Sequence, residues 1–159
     1  DAEKLEFPDN FFDKIFSWGV IHHSPDTLQC VREIYRVLKK DGVAKIMIYH
    51  KWSILGFMLY FRYAILGLKP WLTLNNVFNN YMESPGTKAY SVSEVKKLFS
   101  EFSNLKISTC LSHADLLSSS AGQRHSGLLI NLARMLWPRA LIKKYFKSFG
   151  LFLLIDAKK

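Results

Sequence analysis

The sequence predicts an α/β fold in which parallel strands are joined through a helix, on three observations. Lys14 to Val20 is a short, apolar, β-rich run. Ser24-Pro25-Asp26-Thr27 is a helix-start signal, followed by apolar residues at helical spacing. Val43 to Tyr49 is a second β-rich run. Strand, helix and strand with short links form a βαβ unit, whose strands run parallel and whose crossover is right-handed. A chain of 159 residues, 49% of them hydrophobic, can bury a real core and is not of disordered composition.

The first run reads as a strand covered on both faces, in the middle of a parallel sheet. In the helix after it, Ser24 is the expected cap, Pro25 suits the first helical position and Asp26 favours the positive end. Leu28, Val31, Ile34, Tyr35 and Leu38 make one apolar stripe, with Arg32, Glu33, Arg36, Lys39 and Lys40 mostly off it. Gly42 is expected to close the helix, with lysines in its last turn. Residues 52–82 then break the alternation. Ile54 to Leu72 is dense in Leu, Phe, Tyr and Ile and approaches the ~20 residues of a membrane span. Gly56, Arg62, Gly67, Lys69 and Pro70 interrupt it. The expectation is one or two inserted helices that cover the sheet edge or lie on a membrane surface.

Ser84-Pro85-Gly86 reads as a turn. Ser91 and Glu94 make a capping box ahead of a helix whose apolar face is Val92, Val95, Leu98, Phe99 and Phe102. Leu105 to Leu111 reads as a strand, Ser118 to Gly122 as a loop, and Leu128 to Phe146 as a helix divided at Pro138. Phe149 to Ala157 is the last expected strand. No repeat and no linker stands out, so residues 1–159 read as a single domain with 52–82 as an insert or lid.

Charge is uneven. Residues 1–50 hold seven Lys/Arg against eight Asp/Glu, whereas residues 51–159 hold fifteen against five. The second part therefore either faces something anionic (phospholipid, nucleic acid or an acidic substrate) or presents a solvated basic surface. Arg139, Lys143 and Lys147 recur at helical spacing with Lys144 beside them and Trp137, Leu141, Tyr145 and Phe146 interleaved. Such a helix can lie in a membrane interface or simply pack with its lysines solvated. No RNA-binding aromatic signature is present, and nucleic acid is not expected. Cys30 and Cys110 make no disulfide framework, which points to a reducing cytosol, with peripheral membrane association as an open alternative. The five histidines show no metal spacing, so no metal is expected.

Several stretches resemble the class I S-adenosylmethionine-dependent methyltransferases, in the small-molecule, "type 11" methyltransferase-domain branch. Asp1-Ala2-Glu3 with Leu5, Phe7-Pro8 and Phe12-Asp13 is similar to that family's D-A-E-x-L-P-F stretch and the F-D after it. Ser17-Trp18-Gly19-Val20-Ile21-His22-His23 is similar to its fourth strand and following turn. Glu33 to Gly42 resembles its E-x-x-R-V-L-K-P-G-G helix end, with Lys40-Asp41 in place of Pro-Gly. The family's Gly-rich cofactor loop and its ribose-binding acidic residue would lie upstream of Asp1. The resemblance therefore implies the C-terminal half of a Rossmann-like sheet: parallel strands, a late antiparallel edge strand and a helical insert after the second strand. A fragment of this kind is expected to be inactive by itself.

In open α/β sheets ligands bind outside the carboxyl ends of the strands. That rule, with the resemblance, implies a site. Asp1 would accept from the adenine amino group of S-adenosylmethionine, and the Ala2 amide would donate to a ring nitrogen. Ser17, Trp18, Gly19 and Val20 would pass beside the cofactor. His23 would face a small-molecule acceptor as a pocket residue and candidate general base, while Tyr49, His50 and Tyr90 could orient that acceptor. His22 reads as structural. The function implied is methyl transfer to a small, lipid-like or aromatic acceptor. The alternative is a binding module for a membrane surface or anionic partner, built on a degenerate methyltransferase core.

Overall fold

The computed structural model describes residues 1–82, 84–118 and 134–159. In chain order the elements are β1 (Phe12–Trp18), a 3-10 turn (Ile21–His23), α1 (Thr27–Val37), β2 (Leu38–His50), α2 (Ile54–Tyr60), α3 (Leu74–Tyr81), β3 (Ala89–Tyr90), α4 (Val92–Leu98), β4 (Asn104–Cys110), α5 (Arg139–Tyr145) and β5 (Phe152–Lys158). The strands form one sheet in the order β1-β2-β5-β4, with β3 also pairing to β2. β1 and β2 are parallel, in register from Lys14 opposite Val43 to Trp18 opposite Met47. β5 runs antiparallel to β2, since Lys159 N–H donates to Gly42 O and His50 N–H to Leu151 O. This is the α/β class read from the sequence, with the antiparallel strand late in the chain.

Two compact units make up the chain. The first comprises residues Asp1–Tyr49, Lys88–Ser108 and Leu153–Lys159. Its core packs α1 and α4 against one face of the sheet: Cys30, Val31 and Ile34 meet Ile46, Ile48, Leu153 and Ile155, with Val95, Phe99 and Phe102 closing the far side. β1 departs from expectation. Among the described strands it is terminal in the order rather than central. Phe16 and Trp18, stacked 5.9 Å apart, remain 71% and 51% exposed, so one face of the strand is uncovered.

The helix boundaries differ too. Asp26, not Ser24, caps α1, its carboxylate accepting from Gln29 N–H at 3.0 Å. Ser24 is drawn away because its hydroxyl donates to Glu3 at 2.8 Å. The helix ends at Val37, and Leu38 already lies in β2. Lys39–Gly42 form an irregular excursion inside that strand, with Asp41 at φ +65°. Gly42 is needed for close approach and not for a helix end: a Cβ there would lie 2.8 Å from Lys39 O and 3.2 Å from Asp13 O. Glu33, placed off the stripe by its spacing, is buried, whereas Leu28 on the stripe is 37% exposed.

The second unit comprises His50–Thr87 and Thr109–Phe152. Ser53 caps α2 through Gly56 N–H, and the helix runs into a π turn over Phe61–Ile65. Thr73 and Asn76 form a reciprocal capping box on α3. The two helices approach closely at Gly56, where a Cβ would lie 2.9 Å from the Phe78 ring. Tyr63 and Tyr81 stack at 4.0 Å. The expected inserted helices are thus α2 and α3. Asp115, fully buried, fastens this unit. Its carboxylate accepts from Leu55 N–H (3.0 Å), Leu151 N–H (2.8 Å), Ser112 N–H (2.8 Å) and the Ser112 hydroxyl (2.8 Å). Of the helix expected over Leu128 to Phe146, residues 128–133 lie outside the described residues, as do 119–122 of the expected loop. Pro138 does precede a helix start at Arg139.

Candidate active site

The chain leaves β1 through Gly19, whose φ of +69° favours a residue without Cβ. Gly19 N–H donates to Met47 O at 3.1 Å, holding the turn to the end of β2. The 3-10 turn that follows sets His22 and His23 side by side, ring centres 4.2 Å apart. Tyr49, nearly buried at the end of β2, stands 4.3 Å from the His22 ring and 6.3 Å from that of His23. His22 is completely buried, and neither ring nitrogen has a partner among the described residues. Burial, and secondarily the neighbouring His23, push its pKa down to about 3, so the ring is neutral at ordinary pH. A neutral, enclosed imidazole of this kind is no proton carrier. His23 is half-buried beside it.

Two straps fix this turn, and neither was legible in the sequence. Lys88 N–H donates to His22 O at 3.0 Å, while its ammonium donates to the carbonyls of Ser24 and Pro25. Tyr90 donates its hydroxyl to Thr27 Oγ1 at 2.8 Å, and Thr27 donates on to Ile21 O at 3.1 Å. Burial raises the Tyr90 pKa. Tyr90 of β3 is thus linked to the histidine turn through Thr27 of α1.

Glu3 supplies the link to the N-terminal segment. Its carboxylate accepts from Asp26 N–H and from the Ser24 hydroxyl, both at 2.8 Å, and these bonds hold its pKa down. Asp1, exposed, accepts from Glu3 N–H at 2.9 Å, and Ala2 packs against the core. A second tether lies at Glu33, whose pKa is held to about 2, first by Arg36. Glu33 accepts from Arg36 at 2.8 Å through both oxygens and from Leu5 N–H, while Arg36 reaches Leu5 O, Phe7 O and Asp9. Residues 1–10 carry no regular structure, yet they are stitched to α1 at both ends.

The structure therefore brings Gly19, Val20, His23 and Tyr49 together, with Asp1 and Ala2 tied to the start of α1. Ser17 is half-buried, its hydroxyl without a partner among the described residues, and Trp18 and Val20 are about half exposed. His50 is engaged elsewhere, its Nδ1 lying 3.2 Å from Gly150 O, and burial lowers its pKa. Among the described residues no group of His, Cys, Asp and Glu could hold a metal ion. In the second unit a groove of about 660 Å³ is lined by Trp52, Phe57, Tyr60, Pro70, Trp71 and Leu72, with Lys51 at its margin.

Comparison with known proteins bears on the sequence of the first residues and on the fold. Residues 1–46 match the family model of a methyltransferase domain. Rice 2-methyl-6-phytyl-1,4-hydroquinone methyltransferase 1 is 50% identical over 44 residues, 28% of this chain and 13% of that protein. Phosphoethanolamine N-methyltransferase 2 of Caenorhabditis elegans is 43% identical over 51 residues, 32% of this chain and 12% of its own length. The fold extends further than the sequence match. A Thermotoga maritima S-adenosylmethionine-dependent methyltransferase, a possible histamine N-methyltransferase, superposes with a TM-score of 0.59 at 21% identity, covering 99% of this chain and 61% of that one. The Haemonchus contortus phosphoethanolamine N-methyltransferase 2, solved with S-adenosyl-L-methionine, superposes with a TM-score of 0.59 at 18% identity, covering 100% of this chain and 36% of that one. Residues 1–46 are thus similar in sequence to a methyltransferase domain, the chain spans only a small part of the curated relatives it matches, and the fold of its described residues is that of S-adenosylmethionine-dependent methyltransferases.

Proposed function

We propose that this chain forms part of an enzyme that transfers methyl from S-adenosylmethionine to a small lipid-like or aromatic acceptor. The observation that carries the reading is the methyltransferase-domain match over residues 1–46, the stretch that builds β1, the histidine turn and α1. The relatives matched there are named for a hydroquinone, a sterol and phosphoethanolamine. The first two of these are apolar acceptors.

The residues present fit the cofactor. Ser17 Oγ and both His22 nitrogens are buried polar atoms lacking partners among the described residues, and Gly19 presents backbone without a side chain. Asp1 and Ala2 would hold the adenine, and Ser17 to Val20 would lie along the cofactor. When bound, S-adenosylmethionine supplies a methyl group activated on a sulfonium sulfur. Its transfer to a nucleophilic atom depends chiefly on alignment. Tyr49 and His23 would orient the acceptor, and His23 would take the proton that an oxygen or nitrogen acceptor loses. His22, kept neutral by burial, would hold the ring stack in place.

The test is transfer of radiolabelled methyl from S-adenosylmethionine by the full-length polypeptide, offered a prenylated quinol, a sterol and phosphoethanolamine. Label in one of the apolar acceptors is expected. Cofactor binding without label in any of the three would overturn the acceptor reading, and absence of cofactor binding would overturn the enzyme reading. His23→Ala is expected to lower kcat by about 10- to 100-fold with little change in cofactor Kd. The reverse pattern would move His23 to the cofactor side.

A further inference from the structure

The tip of the second unit's helical pair exposes apolar surface that packing within the chain does not explain. Between Trp52 and Trp71, Phe57, Phe61, Ile65, Leu66 and Leu68 are all solvent-facing, and the extremes are Leu68 at 82% and Trp71 at 73%. Leu68 also sits at φ +54°, a left-handed conformation unfavourable for a branched side chain. The π turn sits just before it, closed by Leu66 N–H to Phe61 O at 2.9 Å and Lys69 N–H to Ala64 O at 2.7 Å. Tyr60 pins the far side by donating to Pro70 O at 3.1 Å. The backbone is thus locked in a form that holds leucines outward.

Charge selects the occupant. Residues 51–82 contain Lys51, Arg62 and Lys69 and no acidic residue. The whole second unit carries nine Lys/Arg against two Asp/Glu, one of which, Asp115, is fully buried. The same tip of a second copy would bring like charge against like and offer no carboxylate to Arg62 or Lys69. No helix among the described residues is long and apolar enough to cross a membrane. A short apolar tip flanked by tryptophan, arginine and lysine suits the headgroup–acyl boundary of an anionic bilayer.

We infer that the Ile65–Trp71 tip docks this protein onto an anionic lipid surface, with Leu66, Leu68 and Trp71 entering the interface and Arg62 and Lys69 pairing with lipid phosphate. The inference does not rest on the methyl-transfer reading, because its test involves neither cofactor nor turnover.

The experiment is flotation of the chain with phosphatidylcholine vesicles, with and without 30% phosphatidylglycerol. Binding is expected only with the anionic lipid. Leu68→Ser is expected to weaken it about tenfold, and Lys69→Glu by a similar factor or more. Both positions are exposed, so circular dichroism should show both variants folded. Phe16→Ser, an exposed aromatic of the first unit, is the control and should bind as the parent does. Equal binding to neutral vesicles, unchanged binding of both tip variants, or lipid-independent dimerisation abolished by Leu68→Ser would each overturn the proposal.

Discussion

The two units are fastened by different chemistry. In the first, irregular backbone is held by charged side chains: Glu3 and Lys88 reach from loops to the turn before α1, while Glu33 and Arg36 reach from α1 to the N-terminal segment. In the second, one enclosed carboxylate, Asp115, collects donors from three separated stretches. By sequence the first unit holds 13 Lys/Arg and 11 Asp/Glu, close to neutral, whereas the second has an excess of seven positive charges. The near-neutral unit ties its charged side chains to backbone and to one another, whereas the cationic unit holds nine Lys/Arg against two Asp/Glu and encloses one of those two carboxylates.

The largest break in that contrast is expected at Asp115. Asp115→Ala leaves two buried N–H groups, a part-buried one and a hydroxyl without this acceptor and should cost about 3–5 kcal/mol. Urea unfolding measures the loss, and hydrogen exchange should show the amides of Leu55 and Leu151 opening ahead of those in α1. Uniform opening of both units would show that they do not differ in this way.

Acid should act on the first unit through His22. Below about pH 6.5 the unfolded ring takes up a proton while the folded ring stays neutral down to about pH 3. The unfolded state therefore binds more protons, and stability falls with pH across that window, by about 1.4 kcal/mol per unit. Glu33 adds to this at lower pH, because its depressed pKa contributes stability that is lost between its ordinary value and about 2. His22→Phe should flatten the upper part of the profile, as read by thermal melts from pH 7 to 4. An unchanged slope would mean that His22 is not what titrates.

A smaller effect is expected at Tyr90. Tyr90→Phe removes the bond to Thr27 and should cost about 1 kcal/mol. It should also shift the amide resonances of Ile21 to His23 while leaving those near Asp115 in place. The smallest effect is expected at Asp9, which is exposed and bonds Arg36 from the N-terminal segment. Asp9→Ala should speed proteolysis between Leu5 and Asp9 with little change in the melting temperature, since it loosens a loop and leaves the Glu33–Arg36 pair in place.

Much of the first unit was legible because its signals are local. β1, β2 and α1 follow from apolar runs and helical spacing, and the Ser91–Glu94 box forms as its four-residue pattern implies. The D-A-E and W-G-V-I-H-H stretches carry the cofactor reading because short motifs keep their residues adjacent in the chain. Errors arose where a local signal met a distant competitor. Ser24 is a good cap by type but is captured by Glu3, 21 residues earlier. Gly42 follows lysines as a helix-ending glycine would, yet strand pairing with β1 claims the chain from Leu38 onward.

The sequence by itself determined the βαβ order, the histidine turn, the inserted helices and the charge asymmetry, because periodicity and composition are properties of neighbouring residues. Only the tertiary structure decided that His22 is sealed and neutral, that β1 leaves Phe16 and Trp18 exposed, and that Lys88 and Asp115 are the fastenings. Those facts depend on partners 36 to 64 residues apart, such as Asp115 with Leu151 and Lys88 with Ser24. Burial and hydrogen bonding at such separations are set by how the chain closes on itself, and no local pattern encodes that closure.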